Sequence, residues 1–234
     1  MTPIFANLQA VQARIETAAR ACGRDPATVS LLAVSKTWPA ASVVEAAAAG
    51  QRAFGENYVQ EGCDKIDTLT AQGLGDLEWH FIGPLQSNKT RPVAERFAWV
   101  HSIERLKIAQ RLAEQRPEHL PPLQVCVQVN VSGEASKSGC APAEAAELCH
   151  AVAALPRLTL RGLMAIPAPT EDAAAQREPF RRLRQLFEQL RAQGLALDTL
   201  SMGMSHDIEA AIAEGATIVR VGTAIFGARD YSKV

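Results

Sequence analysis

The sequence has no excess of charge of either sign: 24 Lys and Arg stand against 25 Asp and Glu. That balance removes any electrostatic case for nucleic acid or an acidic membrane surface as a partner. Its five cysteines (Cys22, Cys63, Cys126, Cys140, Cys149) are odd in number and scattered, and none forms a C-x-x-C pair. Neither a disulfide framework nor a metal site is indicated. No apolar run approaches the ~20 residues of a membrane span. The opening "MTPIFANLQAVQARIETAAR" lacks a basic region followed by an apolar core. No G-x-G-x-x-G follows any strand-like segment, which argues against a dinucleotide-binding open sheet. The expectation is a soluble, cytoplasmic protein of a reducing compartment, working as a monomer.

What the chain does have is alternation. Short apolar or β-branched runs recur at 30–36, 52–57, 77–83, 99–103, 123–131, 158–166, 197–203 and 217–227. Several are almost continuously apolar, as strands covered on both faces are. Helical spacing fills the gaps. "PAASVVEAAAAG" starts near Pro39 and stops at Gly50, and "APAEAAELCHAVAALP" stops at Pro156. "DAAAQREPFRRLRQLFEQLRAQG" ends at Gly194, with a kink or restart expected at Pro179. "SHDIEAAIAEG" reads as a helix capped by Ser205 with Asp207 in its first turn. Such βα alternation predicts a parallel sheet. Eight strands in 234 residues predict one domain, residues 1–234, folded as a (β/α)8 TIM-type barrel. An extra N-terminal helix over 2–21 is expected to cover the flank that a last helix would cover.

In this fold the loops after the strands build the site. Lys36, read as the last residue of the first strand in "SLLAVSK", is placed at that mouth. Two readings stay open: a structural lysine snorkelling to solvent, or an amine whose charged form is disfavoured by apolar walls and which forms a Schiff base. The seventh strand runs into "SMGMSHD", with Ser201 and Gly203. The eighth runs into "VGTAIFG", with Gly222 and Thr223. Loops seven and eight are a frequent phosphate site in barrels; ordinary turn chemistry is the alternative. Arg220, inside "TIVRVG", needs a partner if it faces the interior. That partner is a cofactor's ring nitrogen, or a carboxylate between helices if it faces outward.

"LLAVSKTWP", "FGENYVQE", "WHFIGPLQSNKTR", "VHSIERL", "VQVNVSGEASKSG", "RGLMAIP" and "LSMGMSHDIEAAI…GATIVRVGTAIFG" occur in order from Leu31 to Tyr231. Together they resemble the pyridoxal 5′-phosphate (PLP) homeostasis protein family, whose barrel is similar to the N-terminal domain of alanine racemase. The resemblance implies PLP as cofactor, with Lys36 as its Schiff-base lysine. It implies Ser201, Gly222 and Thr223 around the phosphate and Arg220 at the pyridine nitrogen; Gly203 is read from the loop itself as a glycine for close backbone approach. Asn57 and His80 match pocket-lining positions. His206 departs from the small or acidic residue often found in the family. "QSNKTR" (86–91) is characteristic; it reads as a helix start capped by Ser87 or Asn88. Lys137, in "SGEASKSG", is a competing lysine, read as a solvated loop residue.

The implied function is holding the cofactor for intracellular PLP homeostasis (buffering, storage or delivery), with apo PLP-dependent enzymes as acceptors. The alternative is an amino-acid racemase or decarboxylase. Racemases on this barrel take a second base, a tyrosine, from an extra domain. The only tyrosines here are Tyr58 and Tyr231, and neither belongs to such a domain. An arginine at the pyridine nitrogen also weakens the electron sink. Both points favour a carrier. A Schiff-base aldolase without cofactor is a third reading.

Overall fold

The computed structural model describes residues 2–133, 138–170 and 172–228. Lys137 and Tyr231 lie outside the described residues. Eight parallel strands close in sequence order: β1 (Ser30–Val34), β2 (Ala53–Glu56), β3 (Glu78–Phe81), β4 (Trp99–Ile103), β5 (Leu123–Gln128), β6 (Leu158–Met164), β7 (Thr199–Ser201) and β8 (Ile218–Val221). The helices are α1 (Pro3–Ala21), α2 (Ala40–Ala48), α3 (Val59–Ala71), α4 (Thr90–Arg96), α5 (Leu106–Gln115), α6 (Ala145–Ala153), α7 (Ala173–Ala192), α8 (Ile208–Ala213) and α9 (Thr223–Phe226). The fold is the TIM-type barrel that the alternation predicts.

Pleating divides the core in two. Outward-facing strand residues such as Ala33, Phe54, Phe81, Val125, Leu163 and Val219 join the large sheet–helix layer. Inside the barrel lie Leu32, Val34, Ile82 and Ile218, and separately Trp99, Cys126 and Met164. The floor is polar. Arg161 sits 5.0 Å over the Trp99 ring and pairs with Asp198 at 2.6 Å.

Helix α1 is capped by Thr2, whose hydroxyl accepts from Phe5 N. Its buried stripe is Ile4, Leu8, Val11, Ile15 and Ala18, the spacing of one helical face. It packs against α2, α8 and α9. Asn7 Nδ2 donates to Ile225 O, and Arg14 forms a bidentate pair with Glu209. The N-terminal helix thus lies where the four-residue α9 is too short to shield the sheet.

Four local readings need correction. The run 217–227 is not one strand: the chain leaves the sheet at Gly222 and turns into α9. Ser205 does not cap α8. Asp207 holds the N-cap position, and its Oδ1 accepts from Met204 N at 2.5 Å, an aspartate closing its own local turn. Neither Ser87 nor Asn88 caps a helix; residues 87–89 form a 3-10 turn, and α4 starts at Thr90 with no side-chain cap. Finally, no restart occurs at Pro179: α7 continues through it. A helix proline costs about 3 kcal/mol, whereas burying Phe180, Leu183, Phe187 and Leu190 contributes about 1.5–3 kcal/mol per side chain.

Among the described residues no helix is long and apolar enough to cross a membrane. All five cysteines are unpaired.

The sheet is tightest at Gly162, where an added Cβ would lie 1.7 Å from Thr199 O. Gly162→Ala should therefore lower stability by about 2–3 kcal/mol or more by prising β6 from β7. Urea unfolding tests this; a wild-type midpoint would mean that the two strands separate without cost.

Candidate functional site

Closure of the barrel assembles the mouth. β1 pairs with β8 in the register Leu32↔Arg220 and Ala33↔Val221. Residues 188 positions apart thereby become neighbours, and the end of β1 runs beside Gly222. The approach is close: a Cβ on Gly222 would stand 3.1 Å from Val34 O. β1 itself stops at Val34, so Lys36 lies two residues beyond it, in a turn closed by Trp38 N to Ser35 O at 3.0 Å. Lys36 is half-buried there. The strand reading overran because Ser35 and Lys36 continue an extended pattern, whereas the turn is set by tertiary bonds.

Gly203 joins the same end of the barrel. Its carbonyl accepts from Arg220 N at 2.9 Å. At φ +95° it has a conformation that favours glycine, and a Cβ there would meet Ala211 Cβ at 2.6 Å. Asn57 follows β2, on the other side of β1. Its Oδ1 is buried and has no hydrogen-bond partner among the described residues. Gly83 allows that packing, since a Cβ would land 2.1 Å from Asn57 O. Thr223 is exposed.

Two predicted residues sit deeper than the mouth. His80 is 3 % exposed and lies inside the barrel. Ile82, one pleat nearer the mouth on the same face, packs with Leu32, Val34 and Ile218. Ser201 is fully buried, and its hydroxyl is taken by two protein groups. Both belong to a chain of hydrogen bonds across the interior. Arg220 Nη1 donates to Ser201 Oγ (2.7 Å), Ser201 Oγ meets His101 Nδ1 (2.8 Å), His101 Nε2 meets His80 Nδ1 (2.9 Å), and His80 Nε2 meets Glu78 Oε1 (2.8 Å). Arg220 Nη2 donates to Ala165 O at 2.9 Å. His101 and Glu78 were not among the predicted site residues. The signal for His101 was a lone imidazole in an otherwise strand-like "WVHSI".

The ends of this chain dictate its middle. Guanidinium only donates and carboxylate only accepts. Burial lowers the affinity of both histidines for a proton, His101 well below the ordinary range, where the neighbouring His80 and Arg220 add to the effect. With both rings neutral, one arrangement satisfies every contact. Ser201 donates to His101 Nδ1, His101 Nε2–H donates to His80 Nδ1, and His80 Nε2–H donates to Glu78. That bond from His80 holds the Glu78 carboxyl below its usual range. Burial brings Arg220 down to about 10, which still leaves it cationic at neutral pH. Arg220 is therefore fixed in place and in charge by a directed chain anchored on a carboxylate.

Both rings should be Nε2–H tautomers at pH 7, as nitrogen NMR of the histidine side chains would show; an Nδ1–H ring would reverse the chain. A histidine whose folded pKa is depressed contributes stability that is present above its unfolded value of about 6.5 and lost as pH falls below it. His101→Asn should reduce that acid-side loss in urea unfolding.

Comparisons with known proteins fit this geometry. The family described as "Alanine racemase, N-terminal domain" matches residues 6–230. A "Pyridoxal phosphate homeostasis protein" of Pseudomonas aeruginosa is 66 % identical over 231 residues, covering 99 % of this chain and 98 % of that protein. The protein of the same name from Escherichia coli (strain K12) is 59 % identical over 233 residues, covering 100 % of both. PipY of Synechococcus elongatus, solved without PLP, superposes with a TM-score of 0.85 at 40 % identity, covering 96 % of this chain and 100 % of that one. With PLP bound, it superposes with a TM-score of 0.84 at 39 % identity. A barrel with a lysine turn, an anchored arginine and glycines at one mouth, matched from end to end by these relatives, belongs to the pyridoxal phosphate homeostasis protein family, within the alanine racemase N-terminal domain fold.

Proposed function

We propose that this protein holds pyridoxal 5′-phosphate as a Schiff base on Lys36 and serves cellular PLP homeostasis by buffering, storing or delivering the cofactor, with apo PLP-dependent enzymes as acceptors. The observation that carries the reading is the β1–β8 closure, which pairs Leu32 with Arg220 and brings Val34, two residues before Lys36, against Gly222. It is supported by full-length relatives named for pyridoxal phosphate homeostasis and by a relative solved both with and without PLP.

The residues present suit the group. Asn57 Oδ1, buried and without a hydrogen-bond partner among the described residues, offers an acceptor. Gly203 and Gly222 open backbone where a side chain would intrude. When bound, the cofactor supplies an aldehyde that a neutral amine captures reversibly. Lys36 is the amine in this reading. Arg220 would face the ring nitrogen: a guanidinium shares a proton there and takes none, so the nitrogen would stay unprotonated and the ring would be a weak electron sink. Gly203, Gly222 and Thr223 hold the phosphate. Ser201 is the hydroxyl expected at the phosphate; it also steadies Arg220, and His80 lies two links further back, beyond His101.

Borohydride reduction of the loaded protein should fix one pyridoxyl group on Lys36, and Lys36→Ala should purify with little cofactor. Peptide mapping decides; the main label on Lys137 or any other lysine would overturn the assignment. Mixed with an apo PLP enzyme, the loaded protein should restore that enzyme's activity. It should not turn over D- or L-amino acids efficiently. Isomerisation or decarboxylation at about 1 s⁻¹ or faster, a rate ordinary for enzymes, would replace the carrier reading with a racemase-like one.

A further inference from the structure

A buried lysine outside the mouth is tied to the turn that carries Lys36. Lys65 is on α3, and its side chain is only 7 % exposed. An ammonium has three protons, and Lys65 Nζ has three acceptors: Ser35 O at 2.7 Å, Glu56 Oε1 at 2.8 Å and Glu61 Oε1 at 2.6 Å. Both carboxylates reach onward. Glu56 Oε1 accepts from Ser35 Oγ at 2.7 Å, and Glu61 Oε1 accepts from Thr37 N at 2.5 Å. Ser35 and Thr37 are the residues on either side of Lys36. Thr37 has φ 68°, a positive value shared among the described non-glycine residues only with Arg157. A β-branched residue does not adopt that conformation without outside support.

The three charged groups come from one short stretch. Glu56 ends β2, and Glu61 and Lys65 lie one turn apart on α3. Glu56 follows the outward-facing Phe54 by two residues, so the cluster lies in the sheet–helix layer, behind the wall of the mouth. It can act on a ligand in the mouth only through the backbone of residues 35–37.

We propose that Lys65, with Glu56 and Glu61, is a clamp that positions Lys36: it holds the left-handed turn at Thr37 and so keeps the Lys36 amine in place for capture. This deepens the cofactor reading above and rests on it. Capture joins Lys36 Nζ to the aldehyde carbon, and the carbonyl oxygen leaves as water with the two protons of the amine. Positioning matters most for that bond-forming step. A displacement of about 1 Å can slow an aligned reaction by roughly a hundredfold, whereas the phosphate contacts are made by other loops.

The test uses Lys65→Met and Glu61→Ala. Glu61 is partly exposed, so its variant is the one to use if Lys65→Met does not fold. In the unloaded protein, either change should speed hydrogen exchange at the Thr37 amide by about tenfold or more and leave amides across the barrel unchanged. Pyridoxine 5′-phosphate has no aldehyde, and its affinity should change by less than about threefold. Covalent capture of pyridoxal 5′-phosphate, followed by borohydride trapping on Lys36, should slow about tenfold or more. Glu61→Gln keeps an oxygen for Thr37 N and should recover most of that rate. A folded Glu61→Ala protein with wild-type capture and wild-type Thr37 exchange would overturn the clamp. Capture of the cofactor on another lysine in the wild type would sink the cofactor assignment alone, and the Thr37 amide would then decide the clamp.

Discussion

The pairing of β1 with β8 is the constraint on which the rest of the molecule depends. A parallel sheet of eight strands has two raw edges unless it closes. Here closure joins the first strand to the last in the register Leu32↔Arg220. It brings the end of β1, two residues before Lys36, against the glycine that follows β8. It also leaves a flank next to the short α9, which α1 covers. Loss of this one ladder would open the sheet, expose the flank and disperse the site together.

The interior then has to accommodate polar groups that water no longer solvates. Unpaired, each costs several kcal/mol, and the protein solves the problem twice. Across the barrel, Arg220, Ser201, His101, His80 and Glu78 form a chain in which every proton has one direction. Behind the mouth, Lys65 spends all its donors on the neighbourhood of Lys36. In both places a donor-only cation and an acceptor-only anion fix the groups between them. The result is a mouth whose arginine and lysine turn are held from behind, leaving its forward surface to a ligand.

Much of this was legible in the sequence. The βα alternation predicted eight strands, and all eight fall within the runs that predicted them. The residues at the ends of the first, seventh and eighth strands are those that the barrel brings together. Boundaries were less secure wherever a local pattern competed with a tertiary bond. Lys36 continues an extended run yet lies in a turn, Ser205 offers a capping hydroxyl but Asp207 takes the position, and Pro179 fails to interrupt a helix anchored by Phe180 and Phe187.

By itself the sequence determined which segments become strands and helices, and which residue types arrive at the strand ends, because hydrophobic period and turn residues act over a few positions. Only the tertiary structure decided the partners. His80 and Ser201 were legible as candidate site residues but not as links to Arg220, and Glu78, His101, Glu56, Glu61 and Lys65 carried no sign of what they would touch. A hydrogen bond between residues 100 positions apart, as between His101 and Ser201, leaves no periodicity along the chain. It is set by strand register and barrel closure, which exist only once the whole sheet has formed.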